Sequence, residues 1–248
     1  MISMQHLNKS FGAVKAVNDL SLEIPAGELF CFLGPNGAGK TTTIKMLTGL
    51  IRPDSGTIRI GGFDIRHQPV EAKQIMGYIP DMPFLYDRLT PLEFLKFVAG
   101  LYNIAPPDLH TRIGDALHQF GLQEVRNALI GELSHGMRQR LLYIATFIHN
   151  PRVIFIDEPL IGLDPHSIRM IKDVLRAKVR GGMTILLTTH ILALAEDIAD
   201  RIGIISDGRL IALGRMSDLR TQFGKSGNLE DIFLSLTETP NTSPLPSS

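Results

Sequence analysis

Residues 29–47 read LFCFLGPNGAGKTTTIKML, and the reading of this stretch decides the fold. Leu29 to Leu33 is an unbroken apolar run, as a strand shows when both of its faces are buried. Gly34-Pro35-Asn36-Gly37-Ala38-Gly39-Lys40-Thr41 fits the spacing G-x-x-x-x-G-K-[ST], and Thr42 to Leu47 follows as a helix. Strand, glycine loop and helix in that order make a phosphate cradle. The glycines let backbone N–H groups curl around phosphate oxygens, and the helix start favours their charge. In such a cradle Lys40 would neutralise the β- and γ-phosphates and the Thr41 hydroxyl would bind magnesium. Cys31, inside the buried strand, reads as a packing residue.

Upstream, Leu20, Leu22 and Ile24 alternate with polar neighbours, and Pro25-Ala26-Gly27 makes a turn. Gly56 to Gly62 repeats the alternation through Ile58 and Ile60, so a mixed sheet is expected at the N-terminal end. From about residue 90 the period changes. Thr90-Pro91-Leu92-Glu93 is a capping-box helix start, and Leu92, Leu95, Ala99 and Tyr102 recur at helical spacing. Pro106-Pro107 breaks that helix, and Ile113, Leu117 and Phe120 mark another until Gly121. Residues 87–150 therefore read as an all-helical lobe. Strands return at Val153 to Ile156 and Thr184 to Thr188 around a helix from about Pro165 to Val179, which implies parallel strands with a crossover. Ile202 to Ser206 and Leu210 to Leu213 flank Asp207-Gly208 as a hairpin with a primed turn. The tail 237–248, TETPNTSPLPSS, has little to bury and is expected to be disordered.

The chain has 248 residues, of which 44% are hydrophobic, so it can build a core without disulfide or structural metal. Its 25 basic and 25 acidic residues cancel, and neither sign forms a run, so no nucleic-acid partner is expected. The single cysteine suits a reducing compartment. The polar start MISMQHLNKSFG and the absence of eighteen consecutive apolar residues predict a chain that is itself cytoplasmic.

The strand Val153 to Ile156 ends in Asp157-Glu158, where ligands of open α/β sheets bind. Two adjacent carboxylates there can divide labour. Asp157 would hold magnesium through its water shell, and Glu158 would orient and polarise the attacking water, because in-line phosphoryl transfer needs positioning more than covalent chemistry. His190, in the run Thr188-Thr189-His190, falls at the same sheet edge within reach of a γ-phosphate. Ser134 is a good N-cap for a helix starting near His135, which leaves the N–H groups of Gly136 and Met137 as a second anion site.

Taken together these residues resemble an ABC-type ATPase, the ATP-binding subunit of ATP-binding cassette transporters, over about residues 2–236. GPNGAGKT stands as Walker A, Val153 to Glu158 as Walker B, Gly162-Leu163-Asp164 as the D-loop, His190 as the switch histidine, and Leu133-Ser134-His135-Gly136-Met137 as the signature Leu-Ser-Gly-Gly-Gln. The resemblance implies an α/β fold: a P-loop NTPase core with an N-terminal antiparallel β subdomain and an inserted all-helical subdomain. It implies one cassette over 1–236, with 1–86 and 151–236 forming the RecA-like and β lobe. ATP would be held by Phe11, whose ring stacks on adenine, by Gly34, Pro35, Asn36, Gly37, Ala38, Gly39, Lys40, Thr41 and Thr42, and by Ser134 and Gly136. Lys40, Glu158 and His190 would be catalytic, and Thr41, Asp81 and Asp157 would serve Mg2+.

The same resemblance implies two cassettes, copies or relatives, sandwiching two ATP molecules, with Ser134 and Gly136 serving the opposite subunit's nucleotide. It further implies a membrane-spanning permease that holds the cassettes at the inner face of the membrane. The ending Leu229 to Leu234 resembles exporter-type cassettes. Two motifs depart from the family. Tyr78-Ile79-Pro80 is followed by Asp81 where the family has glutamine, and His135 and Met137 replace glycine and glutamine in the signature. Two other readings stand beside the transporter: a soluble cassette ATPase without a membrane partner, and an ATP-binding regulatory cassette that scarcely hydrolyses.

Overall fold

The computed structural model describes residues 1–82, 84–158, 160, 163–223 and 229–237. Its strands are β1 (Ile2–Phe11), β2 (Val14–Ile24), β3 (Leu29–Leu33), β4 (Ser55–Ile60), β5 (Phe63–Asp64), β6 (Met76–Ile79), β7 (Val153–Asp157), β8 (Thr184–Thr189), β9 (Arg201–Ser206) and β10 (Arg209–Gly214). Burial sorts them into two sheets. β3, β7 and β8 are buried at every position, and strands without a solvent face must lie inside a sheet covered on both sides. They form the centre of a six-stranded sheet, order β10-β9-β3-β8-β7-β6, in which every pairing but β9 with β10 is parallel. β1, β2 and β4 have exposed positions among their buried ones and join β5 in a separate antiparallel sheet, order β2-β1-β4-β5. The expected mixed N-terminal sheet is thus corrected. β3 leaves its sequence neighbours because its two apolar faces need cover that a one-sided sheet does not offer.

The two faces of β3 mark the two cores. Phe30 and Phe32 pack with Phe155 of β7 and Leu186 of β8 against the antiparallel sheet, while Leu29, Cys31 and Leu33 face the helices with Ile154, Ile156, Ile185 and Leu187. This is the period-two alternation of a strand used on both sides.

The helices are α1 (Lys40–Leu47), α2 (Pro69–Gln74), α3 (Pro91–Leu101), α4 (Pro106–Gln119), α5 (His135–Phe147), α6 (Pro165–Arg180), α7 (Leu192–Ile198), α8 (Met216–Gln222) and α9 (Leu229–Thr237). α3, α4 and α5 lie between β6 and β7, and the described residues of that stretch contain no strand. α3 opens on the expected capping box: the Glu93 amide donates to Thr90 Oγ1 at 3.2 Å, and the Thr90 amide donates to Glu93 Oε2 at 2.8 Å. The proline pair separates two helices as expected, but Pro106 is itself the first residue of α4, where a missing N–H costs nothing. The β9–β10 turn has φ of 48° at Asp207 and 73° at Gly208, as a primed turn requires. α9 runs to Thr237, the residue at which the tail was expected to begin. Residues 238–248, and Gly162 of the D-loop, lie outside the described residues.

Candidate functional site

The glycine loop leaves β3 at the carboxyl edge of the six-stranded sheet and turns directly into α1. Gly39 caps the helix with φ of 101°, and no side chain caps the first turn. Only glycine enters that conformation freely, and a Cβ there would stand 2.3 Å from the Ala16 carbonyl oxygen. One at Gly34 would stand 2.4 Å from the Ile205 carbonyl oxygen. The loop is therefore wedged between β2 and the end of β9, and the Gly208 amide fixes it further by donating to the Ala38 carbonyl at 3.1 Å. Because the left-handed cap delivers the chain into helical geometry at once, α1 begins at Lys40, two residues earlier than the expected Thr42.

Lys40 is buried, and its Nζ donates to the loop's own carbonyls, Gly34 at 2.7 Å and Pro35 at 3.0 Å. Burial pulls its pKa below the usual lysine range, and the Glu158 and Asp157 carboxylates work against that fall. Asp157, the last residue of β7, is fully buried. Its Oδ1 accepts a hydrogen bond from Thr188 Oγ1 at 2.5 Å, while its Oδ2 is buried without a hydrogen-bond partner.

Glu158 leaves the sheet with φ of 48°, a left-handed conformation that costs a non-glycine residue about 1–2 kcal/mol. Its amide donates to the Thr188 carbonyl at 3.2 Å. The kink directs one carboxylate oxygen at two partners: Oε1 lies 2.9 Å from His190 Nδ1 and 4.0 Å from Lys40 Nζ. Oε2 is buried without a partner. A carboxylate placed this way can accept a proton from a water while its charge is balanced on one side by Lys40.

A cavity of about 340 Å³ opens above these groups. Asn36, Gly37, Gly39, Lys40, Thr41 and Thr42 line it from the loop, with Asp81, Glu158 and His190 facing them. Asp81 Oδ1 accepts from the next residue's amide, Met82, at 2.8 Å. Burial, with the nearby Asp157 and Asp81 charges, pushes the Tyr78 hydroxyl up to about 12.

The remaining candidates lie elsewhere. Gly34 and Ala38 are buried in the loop and Pro35 is exposed. Phe11 stands at the end of β1, 52% exposed, with Lys9 Nζ 5.4 Å from its ring centroid. Ser134 and Gly136 are at the start of α5. There Ser134 Oγ accepts from the Met137 amide at 3.3 Å, and a Cβ on Gly136 would approach Leu163 and Asp164. Neither lines the cavity that holds Lys40. The sequence reading gave no role to Thr188, which tethers Asp157, or to Ala16, which seats Gly39. Thr188 had only the signal that two threonines, Thr188 and Thr189, follow Ile185, Leu186 and Leu187 at the end of a strand, which names no partner for either. Ala16 had none.

The family model described as ABC transporter matches residues 17–161. Among curated proteins, the chain is 37% identical over 224 residues to the linearmycin resistance ATP-binding protein LnrL of Bacillus subtilis, covering 90% of this chain and 72% of that one. It is 38% identical over 225 residues to the daunorubicin/doxorubicin resistance ATP-binding protein DrrA of Streptomyces peucetius, covering 91% and 68%. Among solved structures, one described as the ATP binding subunit of an ABC transporter superposes with a TM-score of 0.90 at 33% identity, covering 95% of this chain and 99% of that one.

Proposed function

Because this chain belongs to the ABC transporter family as an ATP-binding subunit, we propose that it hydrolyses ATP and spends that energy on a separate membrane-spanning permease that exports its cargo. The observation that carries the hydrolytic reading is the convergence at Glu158, whose Oε1 meets both His190 Nδ1 and the Lys40 ammonium while Oε2 is left unpartnered. Lys40, already held by the loop carbonyls, balances charge that builds on the outer phosphate. Glu158 orients the attacking water and accepts its proton, and His190 steadies Glu158 and reaches the same phosphate. The unstrapped first turn of α1 offers its N–H groups to the phosphates.

The residues present also fit a magnesium ion. Asp157 Oδ2 is a buried carboxylate oxygen with no partner, and the Thr41 hydroxyl and Asp81 line the cavity, which together make the hard oxygen set that this ion takes. When bound, the ion supplies charge neutralisation on the β- and γ-phosphates.

The start of α5, capped by Ser134 and apart from the cavity, supports a second role in which Ser134 and Gly136 meet ATP held by a partner cassette. Phe11, exposed at a strand end, is free to stack on adenine. No helix among the described residues is long and apolar enough to cross a membrane, which supports attachment through the permease at the inner membrane face. Exposed apolar side chains follow Asp81 in the chain at Met82, Phe84 and Tyr86, and the Tyr86 ring meets the exposed Phe97 of α3 edge to face at 5.9 Å, a surface that suits that docking. Relatives named for drug resistance and for Nod factor export support outward transport. The test is phosphate release from ATP by the purified chain, alone and copurified with a multi-spanning protein. Magnesium-dependent release stimulated by that partner is the expected result, and release that is absent with and without it would sink the reading.

A further inference from the structure

Well away from Lys40, the helical segment holds a larger cavity, about 460 Å³, between α3, α4 and the turn that follows α4. Its wall is apolar: Leu92 from α3 and Leu109, Ile113 and Leu117 from α4, with Ile113 and Leu117 almost fully buried. The cavity opens to solvent on one side, and its volume lies in the range of small-molecule sites.

Three features distinguish it from loose packing. The first is charge. Lys96 and Arg126 stand at its mouth, His110 adds a third basic group, and no carboxylate lines it. Both cations are exposed, and neither Lys96 nor Arg126 has an ion-pair partner within 4 Å among the described residues, so both are available to an incoming acid. The second is Gln123, a lining residue whose Oε1 is buried with no hydrogen-bond partner. Burying such an oxygen is unfavourable unless something donates to it. The third is Gly114, in the interior of α4, where glycine weakens a helix relative to alanine. A Cβ there would meet nothing within 4 Å, so crowding by the protein does not require the glycine. The missing side chain keeps space open.

We propose that this cavity is a ligand site for an amphipathic organic anion: a hydrocarbon body against Leu109, Ile113, Gly114 and Leu117, an acidic group paired with Lys96 and Arg126, and a hydroxyl or amide donor reaching Gln123. Charge complementarity selects this occupant over a plain apolar side chain, since an apolar knob would leave both cations and the Gln123 oxygen unanswered. The site is separate from the nucleotide cavity, and the proposal stands whether or not the chain hydrolyses ATP.

The test is calorimetric titration of the full chain with decanoate, with decyltrimethylammonium as the same tail carrying the opposite charge, each with and without ATP. Decanoate should bind saturably, one per chain, at least tenfold more tightly than the cation and equally well in ATP. The double variant Lys96→Gln/Arg126→Gln, changed at two exposed side chains, should weaken decanoate about tenfold and erase the preference. Gly114→Phe should fill the cavity and abolish saturable binding of both probes, and Gly114→Leu serves the same end should Phe fail to fold. Equal affinity for the two probes, competition by ATP, or unchanged decanoate binding in the double variant and in the filled cavity would each overturn the proposal. So would a parent chain that binds no decanoate while the filled variant loses its permease, an outcome that gives the cavity to a protein side chain.

Discussion

Helices α1 and α5 both begin at a candidate anion site, and they begin in different ways. α1 starts on a glycine in the left-handed region with no side chain over its first turn. Its loop is wedged against β2 and β9, and a buried lysine stands at its first position. α5 starts on Ser134, whose own hydroxyl accepts from the Met137 amide, and no side chain of its first turn carries a fixed charge. Its arginines are held by protein acceptors, Arg138 by Asp87 at 2.6 Å and Arg140 by the carbonyls of Phe120 at 2.9 Å and Gly136 at 3.3 Å. Both offer the partial positive charge of a helix start, but only the first adds a full cation. The difference teaches that, under the proposed reading, α1 has what holding a phosphate unaided needs, whereas α5 has only what completing a site anchored by something else needs. That is the division of labour the proposed sandwich of two cassettes would require.

The comparison breaks most sharply at Lys40. Lys40→Ala should lower ATP turnover by about three orders of magnitude, since removing one preorganised charge-stabilising group already costs roughly 10²–10³ and Lys40 also contributes to binding. Steady-state phosphate release at saturating ATP checks this, and near-normal turnover would mean that α1 binds phosphate no differently from α5.

Glu158→Gln comes next. The amide keeps the shape and loses the proton-accepting oxygen, so turnover should fall by about 10²–10³ while ATP affinity is retained. Under the sandwich reading this variant accumulates as an ATP-bound pair of cassettes. Light scattering in ATP with the partner cassette present should show the pair, and a monomer under those conditions would leave α5 without its proposed ligand.

The α1 site was the more legible of the two, for a physical reason. A glycine loop that curls around phosphate leaves a strict spacing in sequence, and the buried strand before it leaves an unbroken apolar run, so both could be read from Leu29 to Leu47. The capping box at Thr90 and the primed turn at Asp207-Gly208 were legible because each depends on local residues alone. Strand β1 was not. Its register against β2 shifts between Met4 and Leu7 and again between Leu7 and Lys9, and His6 takes φ of 50°, so its alternation never runs long enough to read. The division into two sheets was also hidden, because partner choice depends on which faces find cover in the folded chain. At the site itself, the contacts that cross elements stayed invisible: Thr188 on Asp157, and Ala16 beneath Gly39. The left-handed kink at Glu158 has no sequence signal at all, although it is what joins Glu158 to His190.

Asp81 sharpens the comparison by a smaller amount, since it faces the α1 cavity from the loop that leads to the helical segment. On the proposed reading a carboxylate there serves magnesium, although it is one methylene shorter than the family's glutamine and donates no hydrogen bond. Asp81→Ala should lower turnover, or its stimulation by the permease, several-fold, with Asn intermediate and Gln at least partly active. Unchanged turnover and unchanged stimulation in the Ala variant would leave Thr41 and Asp157 as the protein's groups for the metal.

The smallest change in stability is expected at Ser134, and it discriminates best between a plain helix cap and a phosphate contact. Losing an N-cap hydroxyl costs about 1 kcal/mol, so Ser134→Ala should lower the melting temperature by roughly 2–4 °C for a chain of this size. Aspartate caps a helix start about as well as serine, so Ser134→Asp should hold the melting temperature. Its carboxylate, however, would stand where the proposed trans phosphate must come, and two like charges in contact repel. Combined with Glu158→Gln, the Asp substitution should therefore abolish the ATP-held pair while the Ala substitution only weakens it. A cap alone predicts the reverse order of damage, with Ala harmful and Asp silent in both measurements. Light scattering and thermal unfolding of the same two variants separate these cases, and a pair that survives Ser134→Asp would confine Ser134 to the fold.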